Sequence, residues 1–149
     1  MPIPTIFVDA DACPVKEEIY RVARRTGCPV QVVANSFMRV PPDVKLTVVE
    51  AGPDIADDWI AERVQRGDIV VTNDIPLADR TLKAGAAALG ATGKAFTESS
   101  IGAAMAQREL MEHLRSFGEG GGGPRPFSQA DRSRFLSALD AAVMKAKRL

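Results

Sequence analysis

Aspartates are the residues around which this chain could build chemistry. Asp9-Ala10-Asp11 closes one apolar run, Asn73-Asp74 closes another, and Asp54, Asp57 and Asp58 open an amphipathic stretch between them. Residues three or four apart share a helix face, so Asp54 can face the same way as Asp57 or Asp58. Carboxylates packed together repel one another and raise one another's pKa values unless a cation intervenes. A hard divalent cation such as Mg²⁺ or Mn²⁺ is the natural partner, since it takes oxygen ligands and keeps several waters. Such an ion can lower the pKa of bound water and stabilise a phosphoryl transition state, and a pair about 3.5–4 Å apart can do both at once. Ordinary capping is the competing explanation: acids at helix N-termini complement the helix dipole, and Asp54 is a good N-cap by type and position. Asp68 and Asp79 read as surface or capping residues. Asp9, Asp11 and Asp74 differ, because acids flush against a buried apolar strand need a partner.

Composition narrows the field. Of 149 residues, 19 are basic, 19 are acidic and one is histidine. A Ser-His-Asp enzyme would rest on His113 alone, which sits in a charged helix and reads as solvent-facing. Cys13 and Cys28 cannot build a disulfide scaffold, and with one histidine they fall short of the usual zinc ligand sets. Without a basic-then-apolar leader, a reducing cytoplasm is the expected location. No stretch approaches the roughly 20 apolar residues a membrane span needs. Zero formal charge argues against a generally basic surface, yet the charge is uneven. Glu50 to Arg80 holds eight acids and three bases, while Pro124 to Leu149 holds six bases and two acids.

Several polar residues near the acids are candidate substrate contacts. Lys16, in the first turn after Asp11, could reach a phosphate or pair with an acid. Asn35, Ser36 and Arg39 follow a strand end and could orient a substrate, although an Asx turn also explains the first two. Cys13 reads as a small packed residue and Trp59 as core.

These residues need elements to position them. Ile3–Val8 is a β-branched apolar run and reads as a buried strand. Pro14 suits a first helical turn, Val15, Ile19, Val22 and Ala23 follow at helical spacing, and Gly27 stops the helix. Val30–Ala34 is a second buried strand, and Val44–Val49 alternates like an edge strand. Asp54 opens a helix whose stripe is Ala56, Trp59, Ile60 and Val64. Ile69–Thr72 is the most strand-like run, and Pro76 begins a helix that Gly85 interrupts or ends. Glu98–Arg115 reads as a longer helix with Ile101, Met105, Leu110, Met111 and Leu114 on one side. Gly118–Pro126 reads as a linker or turn, after which Ser128 caps a helix burying Phe135, Leu136, Leu139 and Val143. The Gly120–Gly123 run lacks the Gly-Lys-Ser/Thr of a phosphate loop. Strands alternating with helices predict one domain over residues 1–149, an α/β/α sandwich with a mainly parallel sheet. In such sheets ligands collect at the carboxyl ends of the strands, where the acids fall.

The stretch Val8-Asp9-Ala10-Asp11-Ala12-Cys13-Pro14-Val15-Lys16 resembles the signature of the YaiI/YqxD family of small bacterial proteins. Val33-Ala34-Asn35, Gly52-Pro53-Asp54-Ile55-Ala56-Asp57, Gly67-Asp68-Ile69-Val70-Val71-Thr72 and Asp74-Ile75-Pro76-Leu77-Ala78 resemble its further blocks, in order. Gly85-Ala86, Gly122-Gly123-Pro124 and Phe135 resemble later positions. That family resembles the PIN-like nucleases, whose α/β/α fold gathers acids around Mg²⁺ or Mn²⁺ to hydrolyse RNA or DNA. The resemblance implies Asp9, Asp11, Asp54, Asp57 and Asp74 as ligands of one or two ions, with Thr72 at the strand end. Asp58 lies outside the family block. Many nucleases of the group carry one more acid after the Thr-x-Asp block, for which Asp79 is the nearby candidate.

The leading expectation is therefore a metal-dependent phosphodiesterase acting on RNA. Asp9, Asp11 and Asp74 form its catalytic core, and Lys16, Asn35, Ser36, Arg39 and Thr72 contact substrate. A non-catalytic RNA-binding or regulatory module of the same fold is the alternative. An aspartate-nucleophile phosphatase also begins with a strand and Asp-x-Asp, but its late Gly-Asp pair follows a strand, whereas Gly67-Asp68 precedes one.

Overall fold

The computed structural model describes residues 3–11, 13–116 and 126–148, with backbone alone for residues 108–109 and 111–116. In chain order the elements are β1 (Ile6–Asp9), α1 (Lys16–Thr26), β2 (Val30–Ala34), β3 (Val44–Val48), α2 (Ile55–Arg63), β4 (Ile69–Val71), α3 (Ile75–Lys83), β5 (Ala87–Leu89), α4 (Glu98–Ser116) and α5 (Gln129–Lys147). All five strands run parallel, in the order β3-β2-β1-β4-β5. The chain winds outward from β1 to β3, then returns to the other side of β1 as β4. The order therefore reverses between β1 and β4, and a crevice opens there above the carboxyl ends of both strands.

Side chains alternate across a strand, so each strand feeds two cores. Ile6, Val8, Val30, Val32, Ile69 and Val71 pack with α1 and α5, whose Ile19, Val22, Phe135, Leu139 and Val143 are buried. Phe7, Val33 and Val70 pack on the other side with Ala56 and Ile60 of α2 and Leu77 of α3. A smaller cluster joins Ala88 of β5 to Ala78 of α3 and Ile101 of α4. Helices on both faces make the three-layer α/β/α sandwich expected.

The helix boundaries follow local chemistry. Gly27, at φ 77°, ends α1 in the left-handed conformation that glycine adopts without a Cβ penalty. Val15, two residues into the expected helix, is its N-cap, so Pro14 stands just ahead of the first turn. Ser128 and Asp131 form a reciprocal capping box at the start of α5. Gly85, at φ 84°, lies just past α3 and ends it rather than interrupting it.

Three expectations change. β5 was not anticipated: Ala87-Ala88-Leu89 lacks the β-branched residues that mark strands, and its place is set by pairing with β4. Among the described side chains of the α4 stripe, Ile101 alone is buried, while Met105 and Leu110 stand exposed, because α4 meets the body through α3 and Ala88 rather than lying on the sheet. Trp59 is only partly buried, packing at the margin of the second core under the Arg63 guanidinium. The side chains of Met111, His113 and Leu114, and Gly118–Arg125 of the expected linker, lie outside the described residues. No described helix is long and apolar enough to cross a membrane.

Candidate functional site

Strand alternation decides where Asp9 points. It ends β1 on the same side as Phe7, toward α2 and α3. The pairing of Phe7 with Val70 and Val8 with Val71 carries on to set Asp9 beside Thr72. The Thr72 hydroxyl donates to Asp9 Oδ2 at 2.9 Å and accepts from the Asp74 backbone N–H at 3.0 Å. Asp74 is the N-cap of α3, its Oδ1 accepting from Leu77 N at 2.9 Å. From the neighbouring strand, Asn35 Nδ2 donates to Asp11 Oδ2 at 3.0 Å. The Asn35 Oδ1 is buried and has no partner among the described residues.

Asp54 and Asp57 close the site from α2. Asp54 stands at the N-cap but with φ 65°, and its carboxylate caps nothing. The expectation of a side-chain cap therefore fails: in the left-handed conformation the side chain is turned away from the first-turn N–H groups. Such a conformation costs an L-residue about 1–2 kcal/mol.

These side chains line one cavity of about 460 Å³, with Asp9, Asp11, Asp54, Asp57 and Asp74 joined by Asn35, Asn73, Gly52, Pro53 and Ala56. No described lysine or arginine lines it. The electrostatic result is visible at two carboxyls. Burial, then the charges of Asp74 and Asp9 and a hydrogen bond shared with Asp74, push Asp57 up to about 7. Burial also raises Asp9, against the Thr72 hydrogen bond, which lowers it, and the charges of Asp11 and Asp74 add to the rise.

The remaining expected contacts are elsewhere. Lys16 donates its ammonium to the Cys13 carbonyl at 2.9 Å and does not line the cavity. Ser36 and Arg39 are exposed on the β2–β3 loop, outside the lining. Thr72 is 3% exposed, its hydroxyl bonded to the Asp9 carboxylate and the Asp74 backbone N–H. Asp58 pairs with Arg80 and Asp79 with Lys83. Asp68 accepts from Thr5 N and Gln65 N beside the start of β1, at the end of the sheet opposite Asp9. The Gly67-Asp68 pair therefore does not join Asp9 as a phosphatase would require. Cys13 packs partly buried against the larger core, and burial raises its thiol pKa. The sequence pattern gives Asn73 no role of its own. Its Oδ1 accepts from Ala91 N at 3.0 Å, tying the cavity wall to the β5 end; its position just after β4 was the available signal.

The basic C-terminal segment also changes meaning. Arg132 bonds the Pro14 carbonyl and Glu18, Arg134 pairs with Asp131, and Lys147 donates to the Thr26 carbonyl. Arg132 and Lys147 fasten α5 to α1, whereas Lys145 and Arg148 stand exposed with no side-chain hydrogen bond or ion pair among the described residues.

A family profile described as "Uncharacterized BCR, YaiI/YqxD family" matches residues 7–145, a span that contains all five cavity aspartates. The chain belongs to the YaiI/YqxD family. Its relatives include the UPF0178 protein of Caulobacter sp. strain K31, 62% identical over 146 residues covering 97% of each chain. The UPF0178 protein of Sphingopyxis alaskensis is 61% identical, over 99% of this chain and 98% of its own. That of Azorhizobium caulinodans is 59% identical, over 97% and 92%. No solved structure matches the chain.

The donors lining the cavity are carboxylate and amide oxygens, the types a hard divalent cation takes. Among the described residues no three acidic, histidine or cysteine side chains stand at metal-holding distances. The donor chemistry fits such a cation, and the spacing is that of an open cleft.

Proposed function

We propose that the acidic cleft is the active site of a PIN-like, metal-dependent phosphodiesterase acting on RNA. The observation that carries this reading is the convergence of five aspartates from three segments on one crevice with no cation among its described lining residues. So much unpaired negative charge is unfavourable unless a ligand of opposite charge occupies it. Asp9, Asp11, Asp54, Asp57 and Asp74 would hold one or two Mg²⁺ or Mn²⁺ ions. Such an ion supplies a water of lowered pKa and charge stabilisation for a phosphoryl group.

The chain's own contribution is orientation. Thr72 holds one oxygen of Asp9 and Asn35 one oxygen of Asp11, leaving Asp9 Oδ1 and Asp11 Oδ1 outside these bonds. Leu77 N holds Asp74 Oδ1 in the same way. The strained turn at Asp54 keeps its carboxylate off the helix backbone and on the cavity wall. Cys13 and Cys28 remain free thiols, which suits a cytoplasmic site of action.

The test is cleavage of labelled RNA under Mn²⁺ by the wild type and by Asp9→Asn. Loss of metal-dependent cleavage in the variant is expected, and undiminished cleavage overturns the reading. Binding without cleavage across several RNAs and metals would instead establish the non-catalytic RNA-binding module.

A further inference from the structure

Among the described residues seven large apolar side chains stand exposed, and three of them, Phe37, Val48 and Ile55, belong to segments at the cleft end of the sheet. Phe37 is the most exposed of the seven, at 82%. Along residues 37–40 the chain alternates: Met38 and Val40 pack against the larger core, while Phe37 and Arg39 stand in solvent. Phe37 and Arg39 thus share the solvent side of this stretch, and Met38 and Val40 its core side. Ring and guanidinium therefore face outward together, and burying the ring would pull Met38 and Val40 out of the core. Arg39 has no hydrogen-bond or ion-pair partner among the described residues. Two residues before the ring, Asn35 lines the cleft and bonds Asp11.

We propose that Phe37 and Arg39 form a rim that selects single-stranded polynucleotide, the ring stacking on an unpaired base and the guanidinium pairing with an adjacent phosphate. This rests on the phosphodiesterase reading of the cleft. The occupant follows from charge and shape. A cleft whose described charged lining residues are all acids repels a polyanion, so attraction must come from its rim, and Arg39 is an uncommitted cation there. A stacked duplex hides its base faces, whereas a single strand offers them to an aromatic ring. Placing the cation at the rim also leaves the acids free for metal.

The experiment measures Mn²⁺-dependent cleavage, and binding with Ca²⁺ in its place, for one short labelled sequence as single-stranded RNA, single-stranded DNA and duplex. The wild type is expected to prefer a single strand, RNA or DNA. Phe37→Ala should raise KM for that strand about tenfold, as loss of one base stack does. Phe37→Trp should preserve the low KM, and Phe37→Leu, apolar but without a ring face, should behave like Phe37→Ala. Arg39→Ala should weaken binding and flatten its salt dependence. Equal rescue by Leu and Trp overturns the stacking role. A duplex preference, or self-association lost in Phe37→Ala by sedimentation, overturns the single-strand assignment. Wild-type cleavage with Phe37→Ala unaffected overturns this proposal and leaves the phosphodiesterase reading standing. Absence of binding and cleavage by the wild type removes both.

Discussion

Two helices of this protein open on acidic residues and treat them in opposite ways. At α5, Asp131 is 1% exposed, accepts from Ser128 N at 2.9 Å and pairs with Arg134, so its charge is answered from two sides. At α2, Asp54 sits in a left-handed turn with its carboxylate uncapped, and Asp57 one turn further faces Asp74 and Asp9. Both sites hold the same functional group at a helix N-terminus, where the dipole favours it. Only the first uses it for the helix. Where a fold leaves aspartates strained, crowded and without cations, stability has been given up for something other than the fold.

Substitution turns that contrast into opposite signs. Asp131→Ala removes a capping-box partner and leaves the Ser128 N–H without its acceptor, at a cost on the order of 2 kcal/mol. For a chain of this size that lowers Tm by about 4–8 °C. Calorimetry checks it. A neutral result would mean that the two helix openings are not the structural opposites described.

The same contrast explains how much could be read from sequence. Elements built on patterned apolar residues were legible: Val30–Ala34 is β2 as expected, and Phe135, Leu139 and Val143 of α5 are buried as their spacing predicts. β5 was not, because three residues of weak strand propensity are held by their neighbour and not by their own preference. At the site, sequence could place aspartates at strand ends and a helix start but could not reveal backbone angles. Asp54 therefore read as a cap, and only φ 65° shows otherwise. Arg132 and Lys147 read as free surface because spacing says nothing about which carbonyls and acids they meet across the α1–α5 interface. Phe37 carried no signal at all, since exposure is a property of the fold.

The crowding at α2 makes stability depend on pH with a definite sign. An unfolded aspartate titrates near 4, while Asp57 in the fold is pushed up to about 7. Between those values the folded state binds the extra proton, so stability is full below about pH 4 and declines as pH rises to about 7. The carboxyl is only partly buried, and solvent screening limits the effect to about 1 kcal/mol. Asp57→Asn should therefore raise Tm by about 2–4 °C at pH 8 and leave it nearly unchanged at pH 4. Mn²⁺ should recover part of that gain in the wild type and little in the variant. A variant less stable than wild type at pH 8 would show the acids to be mutually satisfied.

The smallest expected effect isolates strain from charge. Asp54→Gly relieves the left-handed turn, and against the greater chain entropy of glycine in the unfolded state the net gain is about 0.5 kcal/mol. Asp54→Ala keeps the strain and removes the charge, so it should gain nothing from the backbone. The difference between the two variants in denaturant midpoint, at equal slope, measures the strain net of glycine's chain entropy. Both lose the carboxylate, so both should cleave RNA more slowly under limiting Mn²⁺ by a similar factor. If Asp54→Gly were instead the less stable of the two, the left-handed turn would be supported by contacts of the carboxylate itself. Asp54 would then belong with Asp131 as a structural acid.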